Sequence, residues 1–324
     1  MRLVNKVNNI RQYWLNDGLI YERESKITFA QCDKTITCNS YYPTLIVASD
    51  CCYIYSHPTL FDNNSNEIFK CEEDFGLEFV LSEGMLCSKK VGIDNRLITL
   101  FSKNVSIIAE SEVLQYNKIY SINKFILLQN IDQSQIELLS TSSLIKLWTL
   151  SFTELTGSEE IGLYSDLVVV GNKLFFYLTN RKYQGIAATY CIDINTGKLI
   201  KEISEFTGDV KHFDGMLYTA NAEDIEIMNP ETFTVEKFNI KSEMDKNDLQ
   251  RIDYARWVVS DNKLYFGQNF GAHQAKVGVV DLRTMKITDK HVFERKCGSI
   301  GTIKVSGNKL YVHTQDETLH IFEI

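Results

Sequence analysis

Val168-Val169-Val170-Gly171-Asn172-Lys173-Leu174-Phe175-Phe176-Tyr177, Val259-Ser260-Asp261-Asn262-Lys263-Leu264-Tyr265-Phe266 and Val305-Ser306-Gly307-Asn308-Lys309-Leu310-Tyr311-Val312 are three copies of one pattern. A short apolar run leads into a Gly/Asp-Asn-Lys turn, and a Leu opens a second run rich in Tyr, Phe and Val. Phe213-Asp214-Gly215-Met216-Leu217-Tyr218 is a fourth copy, and residues 92–98, 121–126 and 15–21 are looser ones. Residues that tolerate positive φ, set between two β-forming runs, are the local signature of a hairpin.

The residues after these turns are Leu19, Leu97, Phe125, Leu174, Leu217, Leu264 and Leu310, and the last four lie 43, 47 and 46 residues apart. Between Leu19 and Leu97 there is room for one more copy, which residues 49–55 supply weakly. Each anchor run is followed by a second hairpin. Residues 187–194 lead through Asn195-Thr196-Gly197-Lys198 into residues 199–203, and residues 277–287 and 224–235 repeat the arrangement. Two hairpins make four antiparallel strands every 40 to 50 residues, the period of a propeller blade. The expected fold is therefore all-β: a single β-propeller domain over residues 1–324 with four-stranded antiparallel blades, eight by repeat count and seven left open. The last copy is short, so residues 2–7 are expected to supply its fourth strand and close the ring through the two termini, which removes exposed sheet edges. Leu249, Ile252, Trp257 and Val258 could share a helical face, but the register of the repeat places residues 254–260 on a strand.

Ile192-Asp193-Ile194-Asn195-Thr196-Gly197-Lys198-Leu199-Ile200 resembles the repeat of the pyrroloquinoline-quinone-like, quinoprotein-type propeller superfamily, in which Asp-x-x-Thr-Gly-Lys turns the outer hairpin and a Trp often follows. Residues 139–148 are a degraded copy that keeps its Trp at 148, whereas Glu202 stands where the intact copy would place one. The resemblance implies a propeller. It does not imply the quinone cofactor, because the cofactor-using members are typically longer, exported and equipped with calcium ligands. Cys51-Cys52 is similar to the vicinal pair beside the quinone in some of them; on a β-run in a reducing compartment, packing is the simpler role.

Composition narrows the function classes. The 324 residues carry 42 Asp and Glu against 34 Lys and Arg, a net charge of −8 that works against a phosphate-binding surface, so nucleic acid is not an expected partner. No stretch reaches the apolar length of a membrane span. The first residues, Met1-Arg2-Leu3-Val4-Asn5-Lys6, do not begin a secretory signal, and a cytoplasmic location follows as the expectation. The eight cysteines show no zinc-site spacing and read as core thiols.

The acidic residues are uneven. Asp62, Glu67, Glu72, Glu73, Asp74, Glu78 and Glu83 share a window whose one base before Lys89 is Lys70. A solvated face is the plain reading of such a run; the sharper one is a docking patch, centred on Glu72, Glu73, Asp74 and Glu78, for a basic protein partner.

Motifs for phosphate loops, nucleophile elbows and zinc-protease helices are absent from the sequence. The six histidines occupy unrelated places in the repeat, so no metal, cofactor or catalytic residue is assigned. Asp209, His212 and Asp214 form the densest titratable cluster and read as a hydrogen-bonded turn. Tyr177, Tyr218, Tyr265 and Tyr311 recur just after the anchors and read as packing between blades. A non-catalytic protein-interaction propeller fits best, one version being an immunity-type protein that neutralises a toxin or enzyme. A propeller lyase or hydrolase with a channel site, and a carbohydrate- or small-ligand-binding propeller, are the alternatives.

Overall fold

The computed structural model describes every residue except 16–18, 25, 31–33, 38–43, 49–50, 57–58, 62–66, 71–73, 103, 123, 131–133, 181–186 and 270–273. Its strands form eight antiparallel sheets, seven of four strands and one of five. These are the expected propeller blades, eight in number among the described residues. In chain order they span residues 12–37, 44–70, 76–114, 118–151, 161–203, 211–239, 257–292 and 300–323, and are called blades 1 to 8. Blade 5 gains its fifth strand because Ile161–Leu163 and Val168–Val170 both pair with Lys173–Asn180. The chain divides into two compact units, residues 12–161 with blades 1 to 4, and residues 1–11 with 162–324 carrying blades 5 to 8.

Each anchor lies on an inner strand of its own blade, Leu97 on the third strand of blade 3, Asn95–Phe101, so that its looser turn joins the second and third strands there. Leu174, Leu217, Leu264 and Leu310 fall in Lys173–Asn180, Met216–Asn221, Lys263–Gln268 and Lys309–Thr314, and the weak eighth copy provides Cys51–Ser56. Arg2–Val7 pairs antiparallel with Leu319–Glu323 and so completes blade 8, as the short last copy requires. One boundary differs from expectation. The seventh blade begins at Trp257, not at residue 254, and a short helix, Lys241–Lys246, precedes it. The reason is local: Asp253 turns the chain, its carboxylate accepting from the Ala255 N–H at 3.1 Å and its carbonyl from the Arg256 N–H at 3.1 Å.

The turns explain the sequence pattern. Asp214 and Gly215, and likewise Asp261 and Asn262, both have positive φ, the geometry of the two-residue hairpin turn that matches strand twist. The outer hairpins use a second device. In blade 5 the Asp193 carboxylate accepts from the Asn195 and Thr196 N–H groups, both at 2.9 Å, and Gly197 in the left-handed region donates back to the Asp193 carbonyl at 2.8 Å. Asn229 with Phe233 in blade 6, and Asp281 with Met285 in blade 7, repeat this geometry. The Asp/Asn is thus the fixed element of the motif, and the Gly is replaceable at a cost in backbone strain.

Within each unit the core lies between neighbouring blades. Leu60 and Phe69 of blade 2 pack with Leu77, Met85 and Phe101 of blade 3, and Leu86, Ile98 and Leu100 of blade 3 pack with Ile126, Leu128 and Leu139 of blade 4. In the other unit, Phe175 and Ile203 of blade 5 meet Leu217 and Met228 of blade 6, and Tyr218 and Ile225 of blade 6 meet Trp257, Leu264 and Phe266 of blade 7. Val277 and Phe293 join Leu310, Val312 and Phe322 between blades 7 and 8. Tyr218 and Tyr265 are buried in these layers as expected, the half-buried Tyr177 packs against the layer between blades 5 and 6, and Tyr311 is buried as well. Cys87, Cys191 and Cys297 are buried free thiols; Cys32, Cys38 and Cys71, and the side chains of Cys51 and Cys52, lie outside the described set.

Gly278 shows how tight the packing is. It sits opposite Phe266 across the strands, and a Cβ placed there would come within 2.4 Å of the Phe266 ring. Gly278→Ala is expected to destabilise the protein by about 1–3 kcal/mol through overpacking, measured by denaturant unfolding; unchanged stability would show the Phe266 ring free to move. Burial pushes the Cys191 thiol up to about 12. Cys191 should therefore resist alkylation in the native protein at pH 8 and react fully after denaturation, as read by peptide mass spectrometry; rapid native labelling would contradict a core thiol.

Candidate functional site

The acidic window does not present a continuous free face among the described residues. Glu72 and Glu73 lie outside the described set. Asp74 is exposed and sits 3.4 Å from Lys89. Glu78 is held internally, its Oε1 accepting from Ser88 Oγ and from the Tyr116 hydroxyl, both at 2.6 Å. The price of that buried phenol–carboxylate contact is a Tyr116 hydroxyl pushed upward, by burial first and then by the Glu78 charge.

The Asp209, His212 and Asp214 cluster comes apart on folding. Asp214 occupies the hairpin turn, His212 is exposed, and Asp209 turns into a hollow of about 380 Å³ in the unit formed by blades 5 to 8. Three segments between strands build this hollow: residues 164–166, 207–209 and 251–254. Their exposed side chains include Tyr164, at 43%, and Tyr254, at 57%, with Arg251 beside them and Tyr177 on the wall.

Each segment is fixed by named contacts. The Tyr164 N–H donates to the Tyr177 carbonyl at 3.1 Å, and Ser165 Oγ accepts from the Tyr177 N–H at 2.8 Å. The largely buried Glu226 carboxylate accepts from the Thr207 N–H at 2.9 Å and from Lys237 Nζ at 2.6 Å, which pins the second segment. Reciprocal backbone bonds between Ala222 and Ile252, at 3.1 and 2.6 Å, hold the third segment beside blade 6. The Trp257 indole N–H donates to the Tyr254 carbonyl at 2.9 Å, tying the exposed tyrosine to a buried core residue.

Charge inside the hollow is subdued. Burial pushes the Asp209 carboxyl up from its ordinary value, Lys211 at 3.5 Å opposes the rise, and the Asp166 carboxylate adds to it. The Lys211 amine is pushed down by burial, donates to the Trp257 carbonyl at 2.7 Å and lies 4.2 Å from the Trp257 ring centre. Both shifts favour the neutral forms, as desolvation dictates. What remains at the rim is aromatic surface plus one guanidinium, a surface suited to binding.

Sequence reasoning found Asp209 and Tyr177 but not their neighbours. Tyr164, Arg251 and Tyr254 stand outside the repeat, in segments with no periodic signal, and only the fold brings them together.

No curated protein matches the sequence. Among solved structures, BamB from Moraxella catarrhalis is similar at 14% identity over 99% of both chains, with a TM-score of 0.66. The computationally designed Ika8 protein is similar at 12% identity, over 98% of this chain and 96% of that one, at 0.64. Sqt1 from Saccharomyces cerevisiae is similar at 10% identity, over 100% and 99%, at 0.63. Such identities speak for fold alone, and they agree with the propeller architecture and with the fold-level resemblance to quinoprotein-type propellers. One family model matches residues 61–267, well over half of the chain, and the protein therefore belongs to the family DUF5074, a domain of unknown function.

Proposed function

We propose that the chain is a non-catalytic, cytoplasmic protein-interaction propeller that grips a partner protein at the hollow ringed by Tyr164, Arg251 and Tyr254. The carrying observation is that two exposed tyrosines stand beside a half-buried arginine, the residue types that dominate binding energy at interfaces, on segments already fixed by backbone and indole hydrogen bonds. Pre-organised side chains lose little entropy on binding. A net charge of −8 adds long-range attraction for a basic partner, which raises the rate of encounter more than the affinity. An immunity-type role, the neutralisation of a basic toxin or enzyme, is the finer form of this reading. A second reading has one observation in its favour: about 380 Å³ is also the size of a small-ligand pocket.

Two variants separate the surfaces. In affinity capture from the native host, Tyr254→Ala is expected to reduce retention of the partner about tenfold or more, the effect of losing a hot spot worth about 2 kcal/mol. Tyr254 is exposed, so the variant should keep its fold by circular dichroism. The combined change Glu72→Gln, Glu73→Gln and Asp74→Asn is expected to alter mainly the salt dependence of association. Undiminished capture by Tyr254→Ala, with capture lost in the acidic-window variant, would move the interface to that window.

A further inference from the structure

Blade 8 and the turn that leads into it carry a second cluster, separate from the hollow. Cys297, Asp316 and His320 each offer one potential ligand atom, and the three atoms lie within 4.8 Å of one another. They line a cavity of about 410 Å³ whose rim includes Lys6, Asn8 and Lys296. We propose that Cys297, Asp316 and His320 form a binding site for a divalent transition-metal ion of borderline softness, zinc being the ion that suits a mixed thiolate, imidazole and carboxylate set.

The backbone holds the three residues in place. Arg295–Cys297 form a single 3-10 turn, and the Cys297 carbonyl accepts from the Asp316 N–H at 3.2 Å, while the Gln315 N–H donates to the Ser299 carbonyl at 2.9 Å. The loop bearing Cys297 is thereby laid against the tight turn bearing Asp316. His320 follows on the strand Leu319–Glu323, opposite Lys6 of the N-terminal strand. Ligand atoms around tetrahedral zinc lie about 3.5 Å apart by the usual bond lengths, so a shift of about 1 Å closes the set.

An independent observation points the same way. His320 is 1% exposed, and its Nδ1 has no hydrogen-bond partner. Its Nε2 lies 3.0 Å from Thr314 Oγ1. The Thr314 hydroxyl has one proton, and Asp316 Oδ1, at 2.7 Å, is the nearest acceptor for it. With the proton donated there, Thr314 Oγ1 accepts from Nε2–H, and Nδ1 is left with a bare lone pair. An imidazole whose second nitrogen is oriented by a hydrogen bond while the first is unpaired has the arrangement of a ligating histidine. Burial, with Lys6 nearby, keeps the ring neutral by pulling its proton affinity down to about 4. The Cys297 thiol is pushed up by burial and donates to Asp316, so it holds its proton until a metal displaces it.

Charge also balances. A thiolate and a carboxylate carry two negative charges, which cancel a divalent ion. Of the two lysines at the rim, Lys296 is neutralised by Glu294 at 2.8 Å, leaving Lys6 as the opposing charge. Binding replaces the S–H bond by a metal–sulfur bond and releases that one proton to solvent.

The test is calorimetric titration of the full chain, stripped with a chelator, with zinc chloride in buffers of different ionisation enthalpy. The expected result is a tight site that releases about one proton per zinc, weakened tenfold or more in Cys297→Ser and in Asp316→Asn. Zinc should also slow alkylation of Cys297 in the native protein. His320→Ala would open a core cavity and is avoided; circular dichroism establishes that the two variants used are folded. Wild type and Cys297→Ser binding zinc equally, or zinc leaving Cys297 alkylation unchanged, would overturn the proposal.

Discussion

A four-stranded sheet has two faces and only water to cover them unless another sheet is laid on each. That requirement governs the structure within both units. Phe266 of blade 7 is buried in a cluster shared with Tyr218, Ala220 and Ile225 of blade 6, and burying such a side chain contributes on the order of 1.5–3 kcal/mol, part of which an isolated blade would forgo. Four-strand blades that can be stable only in company make repetition the cheapest way to lengthen the chain, and the 43- to 47-residue spacing of the later anchors is the trace of it.

Repetition leaves an edge at each end, and blade 8 deals with it by combining both termini. Arg2–Val7 hydrogen-bonds to Leu319–Glu323, so an outer strand of the last sheet comes from the other end of the chain. The segment that follows is fixed as well: His313 Nε2 meets the Ile10 carbonyl at 2.6 Å, and the Ile10 N–H donates to the Glu317 carbonyl at 2.8 Å. This fastening brings Lys6 and Asn8 to the cavity beside Cys297. The cavity beside the cluster is thus lined from both ends of the chain.

What was readable in the sequence follows the same division. Anchors such as Leu264, and turns such as Asp261-Asn262, were readable because a repeated physical demand writes a repeated pattern: positive φ at the turn and apolar surface on the strand after it. The Asp193 turn was readable because a carboxylate accepting two N–H groups needs fixed spacing. Tyr164, Arg251 and Tyr254 obey no such demand. They occur once each, in segments shaped by neighbours such as Glu226 and Trp257, and their proximity is a property of the fold. Cys297, Asp316 and His320 escape motif reading for a related reason, since a turn, a second turn and a strand contribute one residue each.

Trp257 shows how the repeated core and the unrepeated rim are joined. Its ring is buried between blades 6 and 7, its N–H holds the Tyr254 carbonyl, and its own carbonyl and ring face receive the Lys211 amine. The backbone that carries the exposed tyrosine is therefore fastened to the core layer between the two blades. The family match covers residues 61–267 and so includes Tyr164, Asp209, Lys211, Arg251, Tyr254 and Trp257, whereas Cys297, Asp316 and His320 all lie beyond it. The hollow and the core residue that positions it belong to the part of the chain that the family model describes, and the cysteine, aspartate and histidine at blade 8 do not.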